Sequence, residues 1–395
     1  MVHAHQRNSD PDPGLLIMLE CDLFFRQLSE QGFHFYAGVP DSLLKNFCAY
    51  VTDHADASSH IIAANEGNAV ALASGHTLAT NEPAVVYLQN SGLGNLVNPL
   101  TSLADPEVYS IPMLLLIGWR GEPGRPDEPQ HVKQGRINND LLDALEIPWA
   151  VLPEEADAAG ETLARMAGVM RERSGPVALV VRKGTFGPYK LQSAHIQAGL
   201  TLSREAAIEQ VIKALDPHTI VVSTTGKPSR EVFEIRKASA EDGVTRDFLT
   251  VGSMGHSSQI ALGIALAKPD RRVVIIDGDG ALIMHMGGLG IIGERQPKNL
   301  YHIVVNNGAH ESVGGQPTVG FKLDLPAIAT ACGYPTAQRV QSAEGLASVL
   351  PTFLSETGPT FLEIQVTLGS REDLARPDRS PRENKEAFMR FVQES

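Results

Sequence analysis

Cysteine is scarce: Cys21, Cys48 and Cys332 are the only three in 395 residues, and no CxxC occurs. A disulfide framework or a cysteine-rich zinc site is therefore excluded, and a reducing compartment fits. Positive charge is also short, with 33 Lys and Arg against 46 Asp and Glu and a formal charge of −13. That balance repels polyphosphate backbones and anionic lipid, so neither nucleic acid nor membrane is an expected partner. A small anionic substrate stays open, because a pocket can gather a few Arg or His whatever the total charge. Long apolar runs are missing too. The most apolar stretch, Ile111 to Trp119, is about half the length of a spanning helix, and the polar opening MVHAHQRNSDPDPG has no apolar signal core. A cytoplasmic protein is expected.

What is present is the composition of an ordinary folded enzyme, 43% hydrophobic and 20% charged, with 36 Gly and 25 Pro. At about 150 residues per domain the chain has room for two to three. Short β-rich apolar runs, HFYAGV (34–39), HIIAA (60–64), AVVYL (84–88), PMLLLIG (112–118) and PVALVV (176–181), alternate with helical text such as 67–79 and 154–173. This is the rhythm of a buried parallel sheet. It lapses into a polar stretch after Lys190 and restarts with TIVVS (219–223), RVVIID (272–277), LYHIVVN (300–306) and TFLEIQV (360–366). The spacing predicts an α/β fold of two open parallel-sheet domains, 14–190 and 200–368. A charged, Pro-broken tail, 369–395, follows. Function is expected at the carboxyl ends of the strands.

The strongest local signal is VVIIDGDGALIMHMGG, a buried strand ending in Gly278-Asp279-Gly280 and opening a helix. Glycines let backbone N–H groups approach a phosphate, and an aspartate there makes sense if it holds a divalent cation that shares the phosphate oxygens. After 25 intervening residues comes Asn306-Asn307-Gly308 at the end of another strand, which would bring an amide oxygen beside Asp279. Either motif alone is an ordinary turn. Together, at this spacing, they point to a phosphate and a metal.

This pairing resembles the diphosphate and magnesium motif of thiamine-diphosphate enzymes. The resemblance implies that Asp279, Asn307 and the carbonyl of Ala309 hold Mg²⁺, and that Gly278, Gly280 and Ala281 touch diphosphate, with Thr225 and Gly226 of STTGKP as a further contact. In TVGSMGHSS, Ser253 and Met254 would lie against the cofactor, Met254 supporting the bend between its rings. Glu66, in AANEGNAVA, would pass a proton to the aminopyrimidine and so switch the cofactor on. By the same resemblance the halves are a pyrimidine-binding and a diphosphate-binding domain with no central third domain, and the active site lies at the interface of a homodimer or higher homo-oligomer.

The segments FYAGVPDSLLKNF, NNGAHESVGGQPT and GSREDLARP are similar to the branch of that family that decarboxylates 2-oxo acids bearing a phosphonate or sulfonate. The implied reaction converts 3-phosphonopyruvate to phosphonoacetaldehyde and CO₂, a step of phosphonate natural-product synthesis; sulfopyruvate is the alternative substrate. Asp41, His310 and Glu311 are placed by topology as donors near the reacting carbonyl. The anion would be gripped by Arg120, Arg125 and His131, from a loop that also holds Lys133 and Arg136, and by Arg371 and Arg376 of a tail acting as a lid. Two further readings stay open at this point: a carboligase of the acetolactate synthase type, and a non-catalytic phosphate-binding protein.

Overall fold

The computed structural model describes residues 18–193, 199–239 and 246–393. The expected domain start at residue 14, part of the 190–200 junction and the last residues of the tail lie outside the described residues.

Two six-stranded, all-parallel sheets carry the fold. In chain order the first contains β1 (Phe35–Gly38), β2 (His60–Ile62), β3 (Ala84–Gln89), β4 (Met113–Gly118), β5 (Trp149–Val151) and β6 (Val177–Val181). The second contains β7 (Ile220–Ser223), β8 (Phe248–Leu249), β9 (Val273–Gly278), β10 (Leu300–Asn306), β11 (Thr336–Val340) and β12 (Thr360–Gln365). The first sheet runs β2-β1-β3-β4-β6-β5 and the second β8-β7-β9-β10-β12-β11. Counted from its own first strand, each half has the same order, although their sequences do not repeat.

The central strands bury both faces under helices. Val85, Leu114 and Leu179 face one apolar cluster of the first half while Val86, Leu115 and Val180 face the other. In the second half Val274 and Ile303 oppose Val273 and Val304 in the same way. Two-sided burial makes such strands read as continuous apolar runs, and all nine expected strands are present. The three that the sequence does not announce, β5, β8 and β11, are sheet edges. An edge strand is half covered, and Thr336–Val340 keeps only Val340 buried.

The helix Glu66–Thr80 begins where Asn65 accepts a capping hydrogen bond from the Asn68 N–H (3.0 Å), and Ala156–Arg173 begins where Glu155 accepts from Asp157 and Ala158. The tail ends in a helix, Pro381–Gln393, anchored by Phe388 on Phe248 (ring centroids 5.3 Å) and by Asn384 donating to the Asp247 carbonyl (3.1 Å). Among the described residues no helix is long and apolar enough to cross a membrane.

Candidate active site

Loops leaving the carboxyl ends of the strands of both halves meet across a seam. In the second half, Gly278 precedes a short helix, Asp279–Met284, and Gly280 leaves space for the His310 ring and the Met254 methyl: a Cβ there would lie 3.1 Å from His310 Cε1 and 3.3 Å from Met254 Cε. Asp279 is buried and its carboxylate accepts from Thr318 Oγ1. Burial pushes its pKa up to about 6, against the lowering effect of Thr318 and nearby backbone N–H groups. A cation would offset that penalty. Gly320 closes the site, since a Cβ at this position would sit 2.7 Å from both Asp279 Oδ2 and Asn306 Oδ1.

Asn307, at the end of β10, donates from Nδ2 to Glu311 Oε2 (2.9 Å) and accepts at Oδ1 from the Ala309 N–H (3.2 Å). Thr225 donates to the Val251 carbonyl (2.8 Å), and Gly226, at φ +91°, lies beside Ser312. Ser253 takes φ +54° and its carbonyl accepts from the His256 N–H (3.2 Å), bending the chain at Met254. Ala281 is buried, its carbonyl turned toward Gly255. Asp279 is thus met by the backbone of Gly280 and Asn307 and by Thr318, and Gly226 meets the same loop after β10 at Ser312. Among the described residues no group of three His, Cys, Asp or Glu forms a metal cluster. The donors here are one carboxylate, one amide and one carbonyl, an oxygen set that suits a hard divalent cation completed by phosphate oxygens and water.

In the first half Glu66 opens its helix and is buried, with Asn95 Nδ2 donating to Oε2 (2.6 Å) and Gly92 packed against the other side of the carboxylate. Across the seam its charge pulls the pKa of His285 upward, opposing the burial and the neighbouring His256 that together hold it below the ordinary value. Asn65 donates to the Met284 carbonyl (3.3 Å), Gln316 to the Lys45 carbonyl (3.4 Å), and Gln130 packs on Gly252. Glu66 thus acts on His285, a ring packed at Gly255 just after Met254, within one chain, whereas the resemblance placed the site at the interface of two subunits.

Asp41, after β1, is fully buried and accepts from the Leu43 N–H (2.9 Å) and the Leu44 N–H (3.2 Å). Burial lifts its pKa to about 6, although those bonds and Arg120 lower it. Arg120 forks onto Asp127, with Nε at 2.8 Å from Oδ2, and donates from Nη1 to Ser42 Oγ (2.8 Å). His131, on the helix Pro129–Ala144, is buried nearby with Nδ1 unpartnered, and burial and then Arg120 depress its pKa. The His310 pKa falls to about 4 through burial.

Four expected residues are engaged elsewhere. Arg125 is held by Glu122 (3.1 Å) and donates to the Lys183 carbonyl (3.3 Å). Arg371 binds Glu205 (2.8 Å) and Glu234 on the second half's own helices, and Arg376 reaches across the seam to Glu128. Glu311 is enclosed by Arg204, Lys227 (3.0 Å) and Asn307, which place its carboxyl below the usual range despite burial. An acid so held is ionised at neutral pH and is not a proton donor. Sequence reasoning missed Asn95, Thr318, Arg204, Lys227, His256 and His285; of these Lys227, His256, His285 and Thr318 stand inside quoted motifs.

The family model of the thiamine pyrophosphate enzyme N-terminal TPP-binding domain matches residues 21–144, and that of the C-terminal TPP-binding domain matches residues 224–364. The chain is 36% identical over 370 residues to a phosphonopyruvate decarboxylase of Streptomyces viridochromogenes, covering 90% of each. It is 35% identical to the phosphonopyruvate decarboxylase of Streptomyces hygroscopicus, covering 91% of this chain and 90% of that one. A sulfopyruvate decarboxylase of Methanosarcina acetivorans is 28% identical, with 87% and 90% covered.

Proposed function

Because this chain belongs to the phosphonopyruvate decarboxylase family of thiamine pyrophosphate enzymes, we propose that it converts 3-phosphonopyruvate to phosphonoacetaldehyde and CO₂, using thiamine diphosphate and Mg²⁺. The observation that carries the reading is that Glu66 of the first half acts across the seam on His285, which ends the helix opened by Asp279 and packs at Gly255 beside Met254. A carboxylate there has no use in a protein that only binds phosphate. The lower identity to sulfopyruvate decarboxylase favours the phosphonate over the sulfonate.

In this reading Asp279, Asn307 and the Ala309 carbonyl hold the metal, and Gly278, Gly280, Ala281, Thr225 and Gly226 line the diphosphate. When bound, the cofactor supplies a carbon nucleophile for the keto carbon and a sink for the electron pair that CO₂ leaves behind. The protein's part is placement and proton transfer. Asn95 occupies Glu66 Oε2, so Oε1, beside Gly92, is the atom that would face the aminopyrimidine and exchange a proton with it. Asp41, with a pKa raised to about 6, is suited to deliver a proton to the carbon from which CO₂ has departed. His310 is neutral at pH 7 and offers one N–H and one lone pair. Arg120, oriented by Asp127, keeps N–H groups free for the phosphonate, with His131 beside it.

The proposal includes the division into 14–190 and 200–368, assembly as a homodimer or higher homo-oligomer, a cytoplasmic location, and the tail as a lid. The lid is supported by Arg376, which carries the tail across the seam to Glu128. Ending the chain at Thr367 should cut turnover severely. The decisive experiment measures aldehyde and CO₂ release from phosphonopyruvate, sulfopyruvate and pyruvate, each with and without thiamine diphosphate and Mg²⁺. Turnover of phosphonopyruvate that needs both additions is the expected result, and faster release from sulfopyruvate would reassign the substrate.

A further inference from the structure

The two asparagines at the end of β10 are held in the same way by different parts of the fold. Asn307 donates from Nδ2 to Glu311 Oε2 (2.9 Å), and its Oδ1 accepts from the Ala309 N–H (3.2 Å). Asn306 donates from Nδ2 to Glu363 Oε1 (2.7 Å), and its Oδ1 accepts from the Gly308 N–H (3.0 Å). Each glutamate is in turn gripped by an arginine. Glu363, fully buried on β12, receives Arg339 Nε at 2.6 Å. Glu311 receives Arg204 and also Lys227 Nζ at 3.0 Å, while Arg204 forks onto the buried Glu231 with Nε and Nη2 at 2.9 and 2.8 Å.

We infer that Glu311 and Glu363 are positioning residues that orient the amides of Asn307 and Asn306 and so preform the turn presenting Asn307 Oδ1 and the Ala309 carbonyl. The physical reason is that an ionised carboxylate only accepts hydrogen bonds, so an amide touching it must turn its nitrogen there and its oxygen the opposite way. Each carboxylate is also fixed in place by cations, Glu363 by Arg339 and Glu311 by Arg204 and Lys227. Buried ion pairs of this kind give little net stability, since desolvation consumes the Coulombic gain. Their value here is the geometry imposed on an oxygen that has a lone pair left for a cation after accepting from Ala309. Glu311 thus acts through Asn307 and does not touch the reacting atoms.

The inference rests on the reading that Asn307 and Ala309 hold the metal end of the cofactor, and the experiment separates the two. Full-length protein is titrated with Mg²⁺ at fixed thiamine diphosphate, with binding read by calorimetry, and turnover is measured separately at saturation. Glu311→Ala should raise the half-saturating Mg²⁺ concentration about 10- to 100-fold, as loss of an outer partner of a metal ligand does, with kcat at saturation changed far less. Glu311→Gln should recover most of the affinity, because its amide oxygen still accepts from Asn307. Lys227→Met, at a half-buried position, should weaken Mg²⁺ about 2- to 5-fold and keeps the test open if Glu311→Ala does not fold. Unaltered Mg²⁺ binding in Glu311→Ala and Lys227→Met, with Asn307→Ala impaired, overturns the inference alone. Loss of saturated turnover in Glu311→Gln equal to that in Glu311→Ala overturns it as well, by making the carboxyl chemically necessary. Normal Mg²⁺ binding in Asn307→Ala overturns the site reading and the inference together.

Discussion

The two halves share one strand order and place their chemistry on equivalent loops, yet almost nothing on those loops is alike. After its second strand the first half has Glu66 and the second has the Met254 turn; after the third, Gly92 stands against the Glu66 carboxylate while Asp279 and Gly280 form the proposed phosphate cradle; after the fourth, Arg120 and Asp127 correspond to Asn307 and its anchoring glutamate. The difference teaches that a parallel sheet supplies positions at its carboxyl edge and leaves the chemistry to the side chains there. In the proposed reading one half activates and discriminates; the other holds.

That division of labour can be broken, and the largest break should come from Glu66→Gln. Turnover should fall about 10²- to 10⁴-fold, the usual worth of a positioned proton-transfer group, with thiamine diphosphate still bound by calorimetry. Undiminished kcat would remove Glu66 from the chemistry. Asp279→Ala should give the mirror image, a rise of at least about 100-fold in half-saturating cofactor and Mg²⁺, on the order of 3 kcal/mol. Normal saturation would mean that the cradle lies elsewhere.

A pair of methyl additions sharpens the same contrast. Gly92→Ala drives a Cβ into the Glu66 carboxylate, and Gly320→Ala places one 2.7 Å from Asp279 Oδ2 and Asn306 Oδ1. Overpacking of this kind costs about 1–3 kcal/mol. The first should appear in kcat and the second in cofactor affinity, and exchanged outcomes would reverse the assignment of the halves.

The smallest effect concerns acidity. Burial raises the Asp41 pKa from 3.8 to about 6, so the folded chain binds this proton more tightly than the unfolded chain. Stability from this group is full below about pH 4, declines as pH rises to about 6, and is flat above. Asp41→Asn should remove that slope and raise stability near pH 7.5 by about 1–3 kcal/mol, a few degrees in Tm, while lowering turnover. A melting temperature that stays put across this range would show that Asp41 pays no burial penalty.

Much of this arrangement was legible in the order of residues. Strands covered on both faces announce themselves, and backbone-to-phosphate contact demands glycines and oxygen donors at fixed points along the chain, which is why GDG, NN and the glutamate after β2 stand out. Edge strands β5, β8 and β11 stay hidden because half-covered backbone tolerates polar text. The supporting partners were illegible for another reason: Glu311 meets Arg204 across 107 positions, and Asp279 meets Thr318 across 39. Counting arginines likewise located cations without their partners, so Arg371, expected on the substrate, is bound to Glu205 and Glu234.

The tail is fastened by charge, with Arg371 on Glu205 and Glu234, Lys237 on Asp378, and Arg376 on Glu128 of the opposite half. Exposed pairs of this kind are screened over a Debye length of about 8 Å at physiological ionic strength, and over less as salt rises. If the tail is the proposed lid, this latch would slacken in brine and tighten in dilute buffer, and the escape of the aldehyde would depend on the surrounding electrolyte as well as on the protein.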